Sequence, residues 1–278
     1  MKILFIINSL GAGGAEYSQK AWWEYLLKHE LDFRIVVLKQ KNVGISQQLS
    51  PALEARCQML DGGLFSQLFT LREIVRSYRP DIVHTTLWNA HLRMRLIRMI
   101  NDSFLHLESL VNTTYVETRL SDPNVNRWKL LMLKKIDALT SRLGVDAWHA
   151  ITGTVANHYH EALGLPMEKI RVIPRGRREN GYRNDDSNRA SVRDSFGLKP
   201  EELLLINVGR QEYQKGQDIL IRALHVLNEK ALSIPWKLLL LGRSGHQTEL
   251  LKELIKKYGL VDRVVLAGHR YDLDRIMA

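Results

Sequence analysis

The stretch Leu203–Gly216, LLLINVGRQEYQKG, decides the fold class, because an apolar run passes through a glycine turn toward a segment with helical periodicity. Short apolar runs bounded by turn residues are typical of strands buried on both faces, as in a parallel sheet. Arg210 and Lys215 follow the strand. A guanidinium fork and a lysine ammonium can converge on one phosphate group. The turn is therefore a candidate anion site, with solvated surface charge as the alternative interpretation.

The same alternation of apolar runs and amphipathic segments extends along the whole chain. It predicts successive βαβ units with a parallel sheet that helices cover on both faces. Strands are predicted over residues 2–8, 33–38, 81–84, 105–111, 147–151, 171–173, 203–208, 236–241 and 263–267. Helices are predicted over residues 15–28, 68–78, 90–100, 127–142, 216–229 and 247–258, each with apolar residues at three- and four-residue steps.

One polar segment interrupts this pattern. Residues 175–186, RGRRENGYRNDD, lack apolar periodicity, which predicts an interdomain linker. A chain of 278 residues is long enough for two hydrophobic cores. We therefore predict an α/β protein with two Rossmann-like domains, residues 1–174 and 175–278, of which the second is incomplete.

Composition excludes several classes of protein. No stretch approaches the roughly 18 consecutive apolar residues of a membrane-spanning helix. A single cysteine, Cys57, excludes an internal disulfide or a zinc site made of cysteines, and fits a cytoplasmic location. The net charge of +10 favours anionic partners such as phosphorylated small molecules or acidic lipids. No nucleic acid is expected, because the aromatic residues do not interleave with Lys and Arg in an RNA-binding motif.

The first predicted strand also ends in a glycine-rich turn, Gly11–Glu16. Backbone amides of Gly13 and Gly14 at a helix start could hold phosphate. Glu16 stands where a dinucleotide fingerprint needs its third glycine, so we expect no nicotinamide cofactor. His84, at the end of a predicted strand, is a candidate catalytic residue, although a strand-end histidine is more often structural.

The ordered motifs Gly13–Glu16, Val172–Gly176, Val208–Gly216, Leu240–Gly242 and Asp262–Gly268 together resemble the family 4 retaining glycosyltransferases of the GT-B fold. The resemblance implies a nucleotide-sugar donor in a cleft between two domains. It also implies that the enzyme needs no metal ion, since side-chain cations neutralise the donor diphosphate.

The resemblance also assigns residues. It implies that Arg210 and Lys215, with Gly209 beside them, bind the donor diphosphate, which Gly13 and Gly14 approach from the first domain. It places Arg270 near the base. Tyr115 aligns with a position that is commonly a histidine near the reacting sugar, so Tyr115 joins His84 as a candidate catalytic residue.

The family usually carries a Glu-x7-Glu motif after the last predicted strand, whereas this chain ends at Ala278. We therefore expect weak turnover or none from the chain as given. The alternatives are a sugar-nucleotide epimerase of the same architecture and a truncated, non-catalytic fragment. The resemblance further implies a polysaccharide or lipid-linked acceptor. Residues 92–100 and 127–136 are both cationic and apolar, as in helices that lie on acidic membrane surfaces. They suggest the inner face of the cell membrane as a partner surface. Ordinary packing with solvated lysines and arginines is the alternative.

Overall fold

The computed structural model describes residues 1–11, 13–40, 44–100, 103–176, 181, 185–230 and 234–278. The chain divides into two compact units. The first unit is Met1–Leu120 with Asn126–Arg177, and the second is Ser121–Val125 with Arg178–Ala278. Among the described helices, none combines the length and the apolar character needed to cross a bilayer.

The first unit is built on a parallel seven-stranded sheet with the order β3-β2-β1-β4-β5-β6-β7. Its strands are β1 Lys2–Ile7, β2 Asp32–Val37, β3 Cys57–Met59, β4 Ile82–Thr86, β5 Leu105–Leu110, β6 Ala147–Ala150 and β7 Ile170–Val172. Its helices are α1 Gly14–Lys28, α2 Pro51–Glu54, α3 Leu64–Tyr78, α4 Trp88–Arg98, α5 Glu117–Leu120, α6 Arg127–Gly144 and α7 Gly153–Leu163.

Strand β1 shows why this sheet is buried on both faces. Successive side chains of a strand point to opposite faces. Ile3 and Phe5 accordingly join one core cluster with Trp23 of α1. Leu4 and Ile6 join the other cluster, under α3 and α4. A strand that contributes to both clusters needs apolar residues at successive positions, as β1 has.

The second unit has a parallel three-stranded sheet with the order β10-β9-β8 in its described part. Its strands are β8 Leu203–Val208, β9 Trp236–Leu241 and β10 Val264–Gly268. Its helices are α8 Asp186–Ser195, α9 Gln217–Glu229, α10 Thr248–Lys257 and α11 Leu273–Ile276. The central strand β9 is buried on both faces, with Leu238 in one cluster and Leu239 in the other.

The predicted strands and helices are confirmed, with ends that differ by up to four residues. The structure adds β3, the helices α7 and α8, and the short helices α2, α5 and α11. Strand β3 has three residues, of which two are exposed, so it offers no apolar run. Helix α8 begins at Asp186, inside the segment predicted as a linker, because Asp185 caps it by accepting a hydrogen bond from the Asn188 amide. Most of the predicted linker, residues 177–180 and 182–184, lies outside the described residues.

Candidate functional site

The carboxyl edge of the second unit collects basic residues. Strands β8, β9 and β10 are parallel, so their carboxyl ends meet at one edge of the sheet, where α/β proteins bind ligands. A glycine ends β10 and directly follows β8 and β9, and an arginine comes one or two residues later: Gly209-Arg210, Gly242-Arg243 and Gly268-His269-Arg270. Sequence analysis did not single out Arg243. The recurring glycine–arginine step after each strand was the signal that could have found it.

Backbone hydrogen bonds hold the loop that follows β8. The Gly209 amide donates to the Leu241 carbonyl at 2.8 Å, and the Gln211 amide donates to the Arg243 carbonyl at 3.1 Å. From inside α9, Gln217 Nε2 donates to the Gly209 carbonyl at 3.2 Å. The loop is thus fixed to both the neighbouring strand and the following helix.

Two of the predicted donor-binding cations are free on this loop. Arg210 and Lys215 are both exposed, and no carboxylate of the described residues lies within ion-pair distance of either. The Lys215 stem packs against Gly209, where an added Cβ would lie 3.4 Å from Lys215 Cδ. Gly209 therefore gives the lysine room to lie along the loop while its ammonium remains in solvent.

Arg270, the third predicted donor-binding cation, already has a partner. Its Nε and Nη2 donate to the two carboxylate oxygens of Asp272 at 2.8 and 2.7 Å. These hydrogen bonds raise the pKa of Arg270 and lower that of Asp272. The role of Arg270 near a base stays a prediction.

The glycine turn of the first unit is in contact with the side chain of Glu16. Gly13 caps α1 and Gly14 is the first residue of that helix. The Glu16 side chain folds back onto the turn, so a Cβ built at Gly13 would overlap its carboxylate. A negative group is stabilised at a helix N-terminus by the helix dipole. At this helix start, that negative group is the Glu16 carboxylate. The phosphate contact predicted for Gly13 and Gly14 stays a prediction.

His84 lies inside the first unit, with 1% of its surface exposed. Its Nε2 is 2.9 Å from Ser109 Oγ, which is 2.9 Å from His149 Nδ1. His149 Nε2 is 2.8 Å from the Ile173 carbonyl, which can only accept. The chain of hydrogen bonds therefore runs from His84 through Ser109 to His149 and ends on that carbonyl.

This direction leaves His84 Nδ1 as a buried acceptor, which has no hydrogen-bond partner among the described residues. Burial, and then the neighbouring histidines, keep the pKa of His84 well below its usual value, so the ring is neutral. The Trp22 ring packs edge-on against His84, with 4.9 Å between the two ring centroids. The catalytic role of His84 stays a prediction.

Tyr115, the other candidate catalytic residue, is 7% exposed in the loop after β5. Its hydroxyl donates to Asp137 Oδ2 at 2.5 Å, and its amide donates to His158 Nε2 at 3.1 Å. Burial and the Asp137 carboxylate raise the pKa of Tyr115, so the phenol stays protonated. Its catalytic role likewise stays a prediction.

Asp137 belongs to a buried ionic cluster that sequence analysis did not find. Arg95 Nε and Nη2 donate to Glu108 at 2.6 and 2.7 Å, and Arg95 Nη1 also bonds to Asp137. Trp148 Nε1 donates to Glu108 at 3.2 Å. Burial alone would raise the pKa of Glu108, but the Arg95 charge holds it at about 2. One guanidinium therefore pairs with two carboxylates that are removed from water.

A second histidine chain lies beside this cluster. His106 Nδ1 is 2.6 Å from the Gly144 carbonyl, so it must donate, and His106 Nε2 then accepts from Thr85 Oγ1 at 3.0 Å. Thr85 in turn accepts from His91 Nδ1 at 2.8 Å. Burial lowers the pKa of His106 to about 4, although the nearby Glu108 carboxylate offsets part of that effect.

The first unit is expected to lose stability as the pH falls from 6.5 toward 4. His106 takes up its proton near pH 6.5 when unfolded but only near pH 4 when folded, so the unfolded state binds more protons in that window. Over the whole window the loss from this residue is on the order of 3 kcal/mol, of which about 2 kcal/mol falls between pH 7 and pH 5. Urea unfolding at these two pH values, followed by tryptophan fluorescence, measures that part, since most of the tryptophans lie in the first unit.

The matched variant for this measurement is His106→Asn, which keeps a donor for the Gly144 carbonyl but does not titrate. Its urea midpoint should fall less than that of the wild type between pH 7 and pH 5. His84 and His91, whose pKa values are also lowered, leave a residual slope of the same sign. A wild-type midpoint that does not change between the two pH values would contradict the expectation.

Comparison with known families decides the family. The model described as Glycosyltransferase Family 4 matches residues 13–178, and the model described as Glycosyl transferases group 1 matches residues 188–278. The chain belongs to glycosyltransferase family 4. The resemblance inferred from the motifs is thereby confirmed, and the sugar-nucleotide epimerase is not favoured.

A curated relative of this family 4 chain is the mannosylfructose-phosphate synthase of Agrobacterium fabrum, which is 32% identical over 120 residues. The match covers 41% of this chain and 26% of the relative. The D-inositol 3-phosphate glycosyltransferase of Rhodococcus erythropolis is 32% identical over 119 residues, again covering 41% of this chain and 26% of the relative. The family 4 chain thus spans about a quarter of the length of these relatives.

Among solved structures, Anabaena HepE in complex with UDP-glucose aligns with a TM-score of 0.79 at 18% identity. The alignment covers 100% of the family 4 chain and 71% of HepE. At this identity the likeness concerns the fold alone. It confirms the predicted α/β class with Rossmann-like units of the GT-B type. The predicted boundary at residue 174 stays a prediction.

Proposed function

We propose that the carboxyl edge of the second unit binds the diphosphate of a nucleotide-sugar, and that the whole protein transfers a hexose with retention to a polysaccharide or lipid-linked acceptor. The observation that carries this proposal is the exposed pair Arg210 and Lys215 on a loop fixed at the end of β8. Family membership supports the reaction class, and HepE, which shares the fold, binds UDP-glucose.

The chemistry follows from the charge that develops on the leaving group. When the bond between sugar and phosphate breaks, negative charge accumulates on the departing diphosphate. The planar fork of Arg210 suits paired phosphate oxygens, while Lys215 supplies a mobile charge from the same loop. The amino end of α9, which begins at Gln217, adds its helix dipole at the same edge. Fixed groups of this kind can contribute several kcal/mol to transition-state stabilisation.

In this proposal Tyr115 and His84 belong to the acceptor side of the first unit. Both are uncharged near neutral pH, because burial raises the pKa of Tyr115 and lowers that of His84. They would therefore shape that side and fix its hydrogen bonds without supplying charge. Gly13, Gly14 and Arg270 complete the proposed donor contacts.

The proposal also includes a location. A lipid-linked acceptor for an exported polysaccharide is reached from the cytoplasmic face of a cell envelope membrane. The net charge of +10 suits an anionic surface there. We therefore place the protein in the cytoplasm with peripheral binding to that membrane.

Replacing Arg210 or Lys215 by alanine should weaken binding of a nucleoside diphosphate. Each change removes one cation from an anionic ligand, and hydrogen bonds to charged groups contribute about 1–3 kcal/mol. Titration calorimetry with UDP, and with ADP and GDP because the base is not assigned, measures the loss. Lys256→Ala on α10 is the control, since it removes an exposed lysine elsewhere in the second unit. Unchanged affinity in both variants would remove these cations from the site.

A further inference from the structure

Helix α6 of the first unit has two opposite faces. Leu130, Asp137, Ser141 and Gly144 are buried on one of them. At 100° per residue, the opposite face carries Trp128, Met132, Lys135, Leu139 and Leu143, which we call the α6 stripe. These side chains are exposed: Trp128 by 82%, Met132 by 55%, Leu139 by 64% and Leu143 by 59%. The stripe therefore presents four apolar side chains and one lysine to solvent.

Contacts of its buried face fix the rotation of α6 about its axis. The stripe therefore cannot turn inward to join the core. A Cβ at Gly144 would lie 2.8 Å from the Arg95 backbone, which shows how closely α6 packs against α4. Asp137 pairs with the buried Arg95 on the same side. At the other end, Asn126 Oδ1 accepts from the Lys129 amide at 2.9 Å and caps the helix. The stripe must face outward.

The exposed charges of α6 are all positive. Asp137 is the only acid in the helix, and it is buried. Every other charged residue of α6 is basic, namely Arg127, Lys129, Lys134, Lys135 and Arg142. An apolar strip with lysines and arginines and without an exposed acid is typical of helices that lie in the headgroup region of anionic membranes.

A groove adjoins the stripe between α6 and α7. Its volume is about 540 Å³, and it is lined by Trp128, Leu131, Met132, Lys134, Lys135, Ala138 and Ala162. Five of these seven residues are apolar, and the other two are lysines. This arrangement suits an acyl chain that lies below an anionic headgroup.

The charge pattern argues against other occupants. A symmetric contact with a second copy would bring the same basic helix from each molecule together, which like-charge repulsion opposes. A nucleic acid would match the charge, but the stripe offers one aromatic ring and three aliphatic side chains instead of a row of stacking platforms. Anionic lipid satisfies both the apolar and the cationic parts.

We propose that the α6 stripe binds the surface of a membrane that contains anionic lipid. Trp128, Met132, Leu139 and Leu143 enter the boundary between headgroups and acyl chains, while Lys135 and its basic neighbours contact lipid phosphates. This inference rests on the membrane location in the proposed function and identifies the α6 stripe as the protein surface that makes the contact. It does not depend on donor binding.

The test is co-sedimentation of the full chain with vesicles of phosphatidylcholine alone or of equal parts phosphatidylcholine and phosphatidylglycerol. The wild type should bind the anionic vesicles, should bind the neutral vesicles far less, and should be released by salt. Trp128→Ser and Leu139→Ser should each weaken binding by about tenfold, as expected when one large apolar side chain no longer leaves water. Lys135→Glu should weaken binding to the anionic vesicles in particular.

Matched controls are available elsewhere on the surface. Phe65→Ser removes an apolar residue of α3 that is 85% exposed, and Lys257→Glu reverses an exposed charge on α10. Both should bind vesicles like the wild type. UDP calorimetry and circular dichroism on every variant should be unchanged, which separates loss of lipid binding from misfolding.

Three outcomes would overturn the proposal. Equal binding to neutral and anionic vesicles would do so, as would an equal loss in the Phe65→Ser control. A change of oligomeric state in Trp128→Ser, measured without lipid by analytical ultracentrifugation, would assign the stripe to a second copy instead. If vesicle binding follows the stripe while UDP does not bind at all, this inference stands and the proposed donor site fails.

Discussion

Replacing Arg95 by methionine is expected to lower the free energy of unfolding of the first unit by about 3–5 kcal/mol, because it leaves two buried carboxylates without their cation. Glu108 is fully buried and Asp137 nearly so, and neither can reach water to regain its solvation. Methionine fills much of the volume of the arginine stem, so the loss reports mainly on the missing charge. Because folded domains are stable by only about 5–15 kcal/mol, a loss of this size is a large fraction of the total.

Arg98→Met is the matched control for this prediction. Arg98 lies one turn further along the same helix and pairs with Asp146 at 3.2 Å, but both side chains are partly exposed. A pair that remains in water contributes about 0–1 kcal/mol. Urea unfolding at pH 7, followed by tryptophan fluorescence, compares the two variants. Equal losses would show that the buried cluster contributes no more than a surface pair.

Replacing Gly242 by alanine is expected to destabilise the second unit and to abolish nucleotide binding together. The Gly242 amide donates to the Gly268 carbonyl at 2.7 Å, which holds this residue between the ends of β9 and β10. A methyl group built there would overlap the carbonyl oxygen of Gly209 and lie 3.1 Å from the Arg210 amide. The loop that carries Arg210 would have to move away. Overpacking of this kind costs about 1–3 kcal/mol.

Gly259→Ala separates this effect from an ordinary glycine substitution. Gly259 also has a positive φ, of 64°, but an added Cβ there would meet nothing within 4 Å. Its cost is therefore the left-handed backbone alone, about 1–2 kcal/mol. UDP affinity should be unchanged in Gly259→Ala and lost in Gly242→Ala. Normal UDP binding by a folded Gly242→Ala protein would show that the Gly209 loop is not part of the donor site.

The buried cluster shows the limit of sequence analysis in the first unit. Arg95 and Glu108 are separated by 13 positions, and Arg95 and Asp137 by 42. Arg95 and Asp137 each fall in a segment rich in charge, and nothing local distinguishes them from solvated residues. They meet because α4 and α6 pack against each other over β5. The same packing buries Tyr115 and commits its hydroxyl to Asp137. The role near the reacting sugar that the family resemblance implies for Tyr115 stays a prediction.

The second unit shows where sequence analysis succeeds. The stretch Leu203–Gly216 predicted a strand, a turn and a following helix, all of which the structure contains. Arg210 and Lys215 could be placed on the loop after β8 because strand, loop and cations are adjacent along the chain. Arg243 and the close approach of Gly242 to Gly209 were not found, because they depend on which strand lies beside β8.

Apolar periodicity and turn residues act over a few neighbouring positions, so the sequence predicts most strands and helices in order, the parallel α/β class and the basic loop after β8, but not β3, α7 or α8. The tertiary structure decided which polar groups are removed from water. His84 became the buried start of a hydrogen-bond chain, Asp137 became the partner of Arg95, and Trp128 was left in solvent although it is as apolar as the buried Trp148. Burial depends on contacts between distant segments, and those contacts set both pKa values and exposed surfaces.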